Sequence, residues 1–173
     1  MLRKTLLLLA LALSAAPAAA PAQSPGWRLT PDGYGPVRIG MTRAQVSAAL
    51  SIRLEGEAID DANACIEMGA AQGYPDLFFM FENGRLSRIS LGERSRVTTL
   101  RGIGIGATAA QVRRAYGRGL RAETHTYIGR PGEYLTFWTR FNAKGVRFET
   151  GADRRVQVIH AGNGTIRYIE GCA

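Results

Sequence analysis

The sequence predicts an α+β fold of two tandem modules, each with short helices packed on an antiparallel β-meander, together forming one compact unit. Three observations support this prediction. The phrase IGMTRAQVSAA at 39–49 returns as IGATAAQVRRA at 105–115, with seven identical positions. Strand-like segments joined by an Asn-Gly turn follow the first copy, and further strand-like segments follow the second. Internal repetition of this kind is typical of duplicated structural units.

The N-terminal segment is predicted to be a secretory signal peptide. Arg3 and Lys4 precede an apolar run from 6 to 16, and Ala20–Ala22 fits the small-residue pattern of a cleavage site. The run is shorter than the roughly 20 apolar residues that span a bilayer, and no later segment is apolar enough to do so. We therefore expect a periplasmic or secreted protein. The predicted segments are 1–22, signal peptide; 23–33, N-terminal extension; 34–98, first repeat; and 99–173, second repeat.

The chain is basic, with 22 lysine and arginine residues against 14 acidic residues and a formal net charge of +8. Loss of Arg3 and Lys4 with the leader would reduce this charge to +6 and leave Lys144 as the remaining lysine. Guanidinium groups match carboxylates and phosphates, so anionic partners are conceivable, although genomic base bias also produces arginine-rich proteins. Export argues against nucleic acid as a partner.

Both copies of the repeated phrase are predicted to begin a helix at a capping box. Thr42 with Gln45, and Thr108 with Gln111, have the T-x-x-Q spacing that satisfies two amides at a helix start. Apolar residues follow at helical spacing, so each helix has one apolar stripe. Gly117 is expected to end the second helix in the left-handed conformation. These capping side chains are therefore assigned structural roles and no catalytic role.

Strand signals follow each helix, and Asn83-Gly84 is the strongest hairpin signal among them. The segment Ile166–Glu170 is expected to add an edge strand and to bring Cys172 alongside Cys65. The remaining predicted strands are 65–68, 77–82, 86–91, 134–141, 146–150 and 156–160.

Cys65 and Cys172 are predicted to form a disulfide, because two cysteines in an exported chain are most simply read as a pair. This bond would join the C-terminus to the middle of the first repeat. A C-x-x-C motif is absent from the sequence, so a catalytic thiol pair is not expected.

Three motifs carry a family resemblance: G-x-x-x-I-G-M-T-x-x-x-V at 35–46, its echo at 105–112, and F-x-N-G-R-L at 81–86. They resemble the tandem repeats of β-lactamase inhibitor protein, and also the single module of the small outer-membrane assembly lipoproteins of the barrel-insertion machinery. The resemblance implies helices packed on a sheet whose other face binds proteins. This chain lacks a lipidation cysteine, and its predicted disulfide joins the two halves, whereas the inhibitor's bridges lie within its modules.

Residue patterns for catalysis or metal binding are sparse. His125 and His160 are the two histidines, without the spacing of a zinc site, and the G-x-S-x-G motif of serine hydrolases is missing. A cluster of acidic residues could bind a divalent cation, but such clusters in polar stretches are usually solvated. Its members are Glu55, Glu57, Asp60 and Asp61. We expect no enzyme, metal or cofactor, with an uncharacterised hydrolase as an alternative.

A protein-binding face is predicted on the strand at 134–141. Alternation places Leu135, Phe137 and Phe141 on one face, and Tyr134, Thr136, Trp138 and Arg140 on the other. If the first face is buried, the second exposes residue types that dominate interface hot spots, with Tyr134, Trp138 and Arg140 as the binding residues. Equally, Trp138 would complete a second small core. The predicted function is a non-catalytic, exported protein-binding module of the bacterial envelope, inhibitor-like or accessory to assembly.

Capture of an anionic small molecule or envelope polymer by arginines is the alternative function. The candidate side chains lie near the second helix and its exit, where a solvated charged surface is the commoner explanation. They are Arg113, Arg114, Arg118 and Arg121. Binding that vanishes with added salt would favour this alternative over the aromatic face.

Overall fold

The computed structural model describes residues 26–56, 64–139 and 143–172. They form an α+β fold with an eight-stranded sheet, a three-stranded sheet and two short α-helices, which confirms the α+β part of the prediction. The helices are α1, Arg43–Leu50, and α2, Ala109–Tyr116. The strands are β1, Leu29–Thr30; β2, Gly33–Tyr34; β3, Val37–Arg38; β4, Leu54–Glu55; β5, Cys65–Ala70; β6, Leu77–Glu82; β7, Arg85–Leu91; β8, Leu120–Thr124; β9, Glu133–Trp138; β10, Gly145–Thr150; and β11, Val156–Gly162.

The larger sheet has the strand order β4-β5-β6-β7-β11-β10-β9-β8, and each neighbouring pair is antiparallel. In the chain, α1 is followed by β4 to β7 and α2 by β8 to β11. Two consecutive parts of the chain therefore supply the two halves of the sheet. The halves meet where β7 pairs with β11, and there Ser90 lies opposite His160 and Leu91 opposite Ile159.

Each helix begins at a capping box. The Thr42 hydroxyl accepts a hydrogen bond from the Gln45 amide at 3.3 Å, and the Gln45 side chain accepts one from the Thr42 amide at 2.9 Å. Thr108 and Gln111 make the equivalent bonds at 3.2 and 2.7 Å. Gly117 follows α2 with a positive φ of 62°, but its ψ of −146° lies outside the left-handed helical region that the sequence predicted.

The helices cover one face of the larger sheet, and the main apolar core lies between the helices and that face. Val46 of α1 and Val112 of α2 are fully buried against strand residues such as Phe79, Leu135 and Phe148. Alternation along each strand sends these side chains to the helix side. Burial of each large apolar side chain contributes about 1.5–3 kcal/mol, so this layer is the main source of stability.

The first residues of the described chain also belong to the fold. Strands β1, β2 and β3 form the smaller sheet, which the sequence did not predict. Leu29 is fully buried, and its amide and carbonyl bond with Thr98 and Leu100 in the segment before α2. Residues within the predicted extension therefore pack against the middle of the chain.

The C-terminal segment does not form the predicted edge strand. Gly164–Arg167 is a 3₁₀ turn, whose start is capped by the Asn163 side chain accepting from the Thr165 amide at 3.0 Å. The segment then crosses the sheet face opposite the helices, because Arg88 on that face binds two of its carbonyl oxygens. We call residues 164–172 the tail. None of the helices in the described residues has the length and apolar character needed to cross a membrane.

Candidate functional site

The sheet face opposite the helices, here called the polar face, carries charged and hydroxyl side chains that are buried at its centre. Strand alternation places them there, since each is one residue from a core position. The tail and the loop 125–131 lie over this face. Its buried residues are Met80, Arg88, Ser90, Tyr134, Thr136, Arg147 and His160, and the partly exposed Glu67 and Glu149 lie beside them.

Arg88 fastens the tail to the polar face. Its guanidinium is 3% exposed and donates to the carbonyl oxygens of Thr165 at 3.2 Å and Tyr168 at 3.0 Å. A further bond at 3.1 Å reaches the Glu67 carboxylate. Burial lowers the pKa of Arg88, and the Glu67 charge opposes that shift. Because a buried cation needs partners, this side chain holds the tail and strand β5 together.

Two further contacts fix the end of the tail. Cys172 forms the predicted disulfide with Cys65 of β5, with Cα atoms 5.5 Å apart, and this prediction is confirmed. The Tyr168 hydroxyl donates to the Glu82 carboxylate at 3.0 Å. The tail is therefore attached to three neighbouring strands. The disulfide joins it to β5, charge-assisted hydrogen bonds from Arg88 join it to β7, and the Tyr168 hydroxyl joins it to β6.

The two histidines, which no sequence pattern associates, meet at one carboxylate. Glu149 lies 3.2 Å from His160 Nε2 and 4.0 Å from His125 Nε2, through its two oxygens. Burial lowers the pKa of His160, and the nearby Arg88 charge lowers it further, against the attraction of Glu149. Burial favours a raised pKa for Glu149, but the His160 hydrogen bond and the surrounding positive charges outweigh it and lower that pKa.

His125 anchors the loop 125–131 on the polar face. Its Nδ1 lies 3.3 Å from the amides of both Tyr127 and Ile128 and accepts their hydrogen bonds. The ring proton is therefore on Nε2, which faces Glu149. The His125 ring stacks on Tyr134 with centroids 4.4 Å apart. The Arg147 guanidinium lies over the same Tyr134 ring at 4.0 Å.

A hydrogen-bonded chain from Ser90 to Glu149 contains the groups of a serine nucleophile and its base. Ser90 Oγ lies 2.8 Å from His160 Nδ1, and the other ring nitrogen faces Glu149. A nucleophile must also meet its substrate. Ser90 is 4% exposed and His160 7%, so neither can do so in this conformation. In this arrangement the hydrogen bonds from Ser90 through His160 to Glu149 connect β7, β11 and β10 across the seam of the sheet.

The predicted binding face on β9 is partly covered by other segments of the chain. Leu135 and Phe137 do point to the core side, but Tyr134 is 2% exposed and is not accessible to a partner in this conformation. The reason is that His125 and Arg147 pack against the Tyr134 ring, and strand alternation does not reveal which segment lies over a face. Trp138 is half-buried, and Arg140 lies outside the described residues.

An exposed apolar cleft lies instead between the tail and the loop 125–131. This tail cleft has a volume of about 620 Å³ and is lined by residues 167–172 with Cys65, Thr126 and Tyr127. Tyr127 is 64% exposed, Tyr168 46% and Ile169 44%. The Tyr127 hydroxyl donates to the Glu170 carboxylate, which connects the two walls. Sequence patterns missed this cleft because its two walls are 40 residues apart and neither is a strand.

A second cleft is rich in arginine. This arginine cleft has a volume of about 710 Å³ and lies between the start of α2, strand β8 and the turn 153–155. Of the arginines proposed from the sequence, Arg113 lines it and pairs with Glu133 at 2.8 Å, whereas Arg114, Arg118 and Arg121 do not line it. Its other arginines come from two turns: Arg130, Arg154 and Arg155.

Metal ligands are not gathered anywhere in the part of the chain that the structure describes, where no cluster of three or more histidine, cysteine or acidic residues is suited to an ion. Of the predicted acidic cluster, Glu55 pairs with Arg53 at the surface. Its other three members, Glu57, Asp60 and Asp61, lie outside the described residues.

Fold and site together define an α+β protein whose disulfide-anchored tail crosses the polar face of an antiparallel sheet. A scan of protein-family models, a search of curated proteins and a search of solved structures each returned no match to this chain. The sequence motifs and the geometry above are therefore the basis for assigning a function.

Proposed function

We propose that this protein is an exported, non-catalytic protein-binding module of the bacterial envelope, and that its binding site is the tail cleft. The observation that carries the proposal is the convergence of Tyr127, Tyr168 and Ile169, all substantially exposed, on one concave surface. Grouped exposed apolar side chains mark interaction sites, and tyrosine is enriched among interface hot spots. The disulfide supports export, because such bonds persist in oxidising compartments.

The tail cleft is suited to binding because its walls are already fixed. Arg88, the disulfide and the Tyr168–Glu82 hydrogen bond hold one wall, and His125 holds the base of the other. A partner would therefore lose little binding free energy to ordering of these side chains. The occupant that fits is an apolar side chain of a partner protein, surrounded by a polar rim that Arg167 and Glu170 supply.

The proposal includes a duplicated architecture. The order helix then four strands occurs twice, and the sheet order of β4 to β7 is mirrored by that of β8 to β11 across the β7–β11 seam. The matching capping boxes of α1 and α2 support the same interpretation. Two tandem repeats of this kind would agree with the motif resemblance to β-lactamase inhibitor protein. Superposition of experimental coordinates of the two halves would test it, with Thr42 expected to fall on Thr108.

Site-specific photocrosslinking in the producing cell tests the binding site. A photoreactive benzoylphenylalanine would be placed separately at Tyr127, at Tyr168 and at Leu100, an exposed apolar residue that does not line the tail cleft. We expect the same discrete adduct from the first two positions and not from Leu100, and its loss when Ile169→Asp is added. Identical adducts from all three positions, or none from the cleft, would contradict the proposal.

The non-catalytic part of the proposal depends on the burial of Ser90 and His160. A fluorophosphonate probe labels serine nucleophiles that an adjacent base activates. We expect no labelling of the folded protein. Labelling at Ser90 that disappears in His160→Gln, with the fold retained, would show instead that Ser90 is an activated nucleophile and would contradict the non-catalytic proposal.

A further inference from the structure

We propose that the arginine cleft binds an anion carrying two or more carboxylate or phosphate groups. This site shares no lining residue with the tail cleft, and the inference goes beyond protein binding. The cleft holds four arginines and three acidic residues within about 710 Å³. Its alanine and proline residues leave the guanidinium groups room to reach a ligand.

The carboxylates of the arginine cleft are already engaged. Glu133 pairs with Arg113 at 2.8 Å. Glu123 pairs at 3.0 and 3.9 Å with Arg147 and Arg167, which do not line the cleft. The Asp153 side chain accepts from the backbone amide of Arg155 at 3.0 Å.

Three guanidinium groups of the cleft consequently have no carboxylate partner among residues 26–56, 64–139 and 143–172: those of Arg130, Arg154 and Arg155. Arg155 donates to the Gly106 carbonyl at 2.9 Å, which positions its side chain without neutralising the charge. An anion entering the cleft would therefore meet three guanidinium groups without ion-pair partners against one such carboxylate, that of Asp153. Planar guanidinium groups form paired hydrogen bonds with carboxylate and phosphate oxygens.

The backbone of Arg154 supplies an independent indication. Its φ is +56°, in the left-handed region where a side chain is unfavourable and glycine fits. The turn holds it there, since the Arg154 amide donates to the Gly151 carbonyl at 3.0 Å. An arginine at this position strains the backbone, and its guanidinium makes no hydrogen bond or ion pair within the described residues. Backbone strain clusters at binding and catalytic sites, so the strain at Arg154 supports the proposal.

Side chains, rather than the start of α2, would hold the ligand. The Thr108–Gln111 capping box already occupies the Gln111 and Thr108 amides. Arg130 precedes β9, while Arg154 and Arg155 lie in the turn between β10 and β11, so the charges approach from two separate segments. This spacing favours a ligand with at least two anionic groups over a single monovalent ion.

Titration calorimetry of the folded, oxidised protein with citrate and with pyrophosphate tests the proposal. The test variant is Arg130→Gln with Arg154→Gln. The matched control is Arg114→Gln with Arg118→Gln, which makes the same change in net charge outside the cleft. We expect the wild type to bind at least one probe, the test variant to lose about tenfold or more in affinity, and the control to stay within about twofold.

The pattern of binding separates the possible ligand sources. Binding of citrate but not pyrophosphate indicates a carboxylate ligand, and binding of pyrophosphate but not citrate indicates a phosphate ligand. Binding of both probes indicates a general polyanion site. Binding of neither probe, or an equal loss in the control variant, would overturn the proposal. Arg154→Gly, in which the backbone is relaxed, guards against a folding artefact and should also weaken binding. Photocrosslinking at Tyr168 should be unchanged in all these variants, so failure here is distinguishable from failure of the tail cleft proposal.

Discussion

Removal of the Cys65–Cys172 disulfide is expected to destabilise the protein by several kcal/mol. The bond joins residues 107 positions apart. In the chain-entropy model a closed loop of this length stabilises the fold by about 4.8 kcal/mol at 25 °C. Domains are commonly stable by only about 5–15 kcal/mol, so the loss would be a large fraction of the total.

The double variant Cys65→Ala with Cys172→Ala measures this effect in urea unfolding. The remaining contacts of Arg88 and Tyr168 should keep the tail docked in the folded state. The free-energy loss would then come from the unfolded chain, which is less compact without the crosslink, so the slope m should stay the same or rise. For a slope near 2 kcal/mol per molar urea, the midpoint should fall by about 2.4 M.

Two results would refute this reasoning. A loss below about 1 kcal/mol would mean that the loop-closure model does not describe this chain. A lower m-value would mean that the tail leaves the polar face when the bond is missing, because m scales with the surface exposed on unfolding. In that case the disulfide, rather than Arg88, would hold the tail, and crosslinking at Tyr168 should fall in the same variant.

Three further predictions follow from buried groups, backbone strain and capping. His160 and Glu149 have lowered pKa values, so the folded state binds fewer protons than the unfolded state in acid. In urea unfolding, the stability from His160 should be present at neutral pH and lost as pH falls below about 6.5, and the stability from Glu149 should be lost below about 4.5. Each proton changes stability by at most about 1.4 kcal/mol per pH unit, and a flat profile would contradict this. Arg154→Gly should raise the free energy of unfolding by about 1 kcal/mol, and a decrease would exclude strain at that turn. Thr108→Ala should cost about 1 kcal/mol through loss of the capping box, measured by thermal melting, whereas an unchanged melting temperature would show that the box contributes nothing.

Local signals predicted local structure well. The strand Leu77–Glu82 has the predicted bounds, because a compact apolar run and an Asn-Gly turn specify it within eight residues. The exposed edge strand Leu120–Thr124 was missed, because an edge strand with alternating charged residues lacks an apolar signature. Strands could therefore be predicted where an apolar run and a turn motif lie next to each other in the sequence.

The candidate sites depend on contacts that local patterns do not encode. His160 meets Ser90 from 70 residues away, through the register of β11 on β7. Period-two alternation assigned Tyr134 to the correct side of β9, but could not show that the loop bearing His125 would cover it. The alternating residues of the tail favoured a strand, yet Arg88 holds the tail carbonyls across the sheet face.

The position of the disulfide sets an order on maturation. Cys65 has a single possible partner within the chain, and that partner is synthesised more than a hundred residues later. Oxidation to the native form therefore waits at least until Cys172 has been synthesised. Resistance of both cysteines to an alkylating reagent would then report that the two ends of this 107-residue separation have been joined.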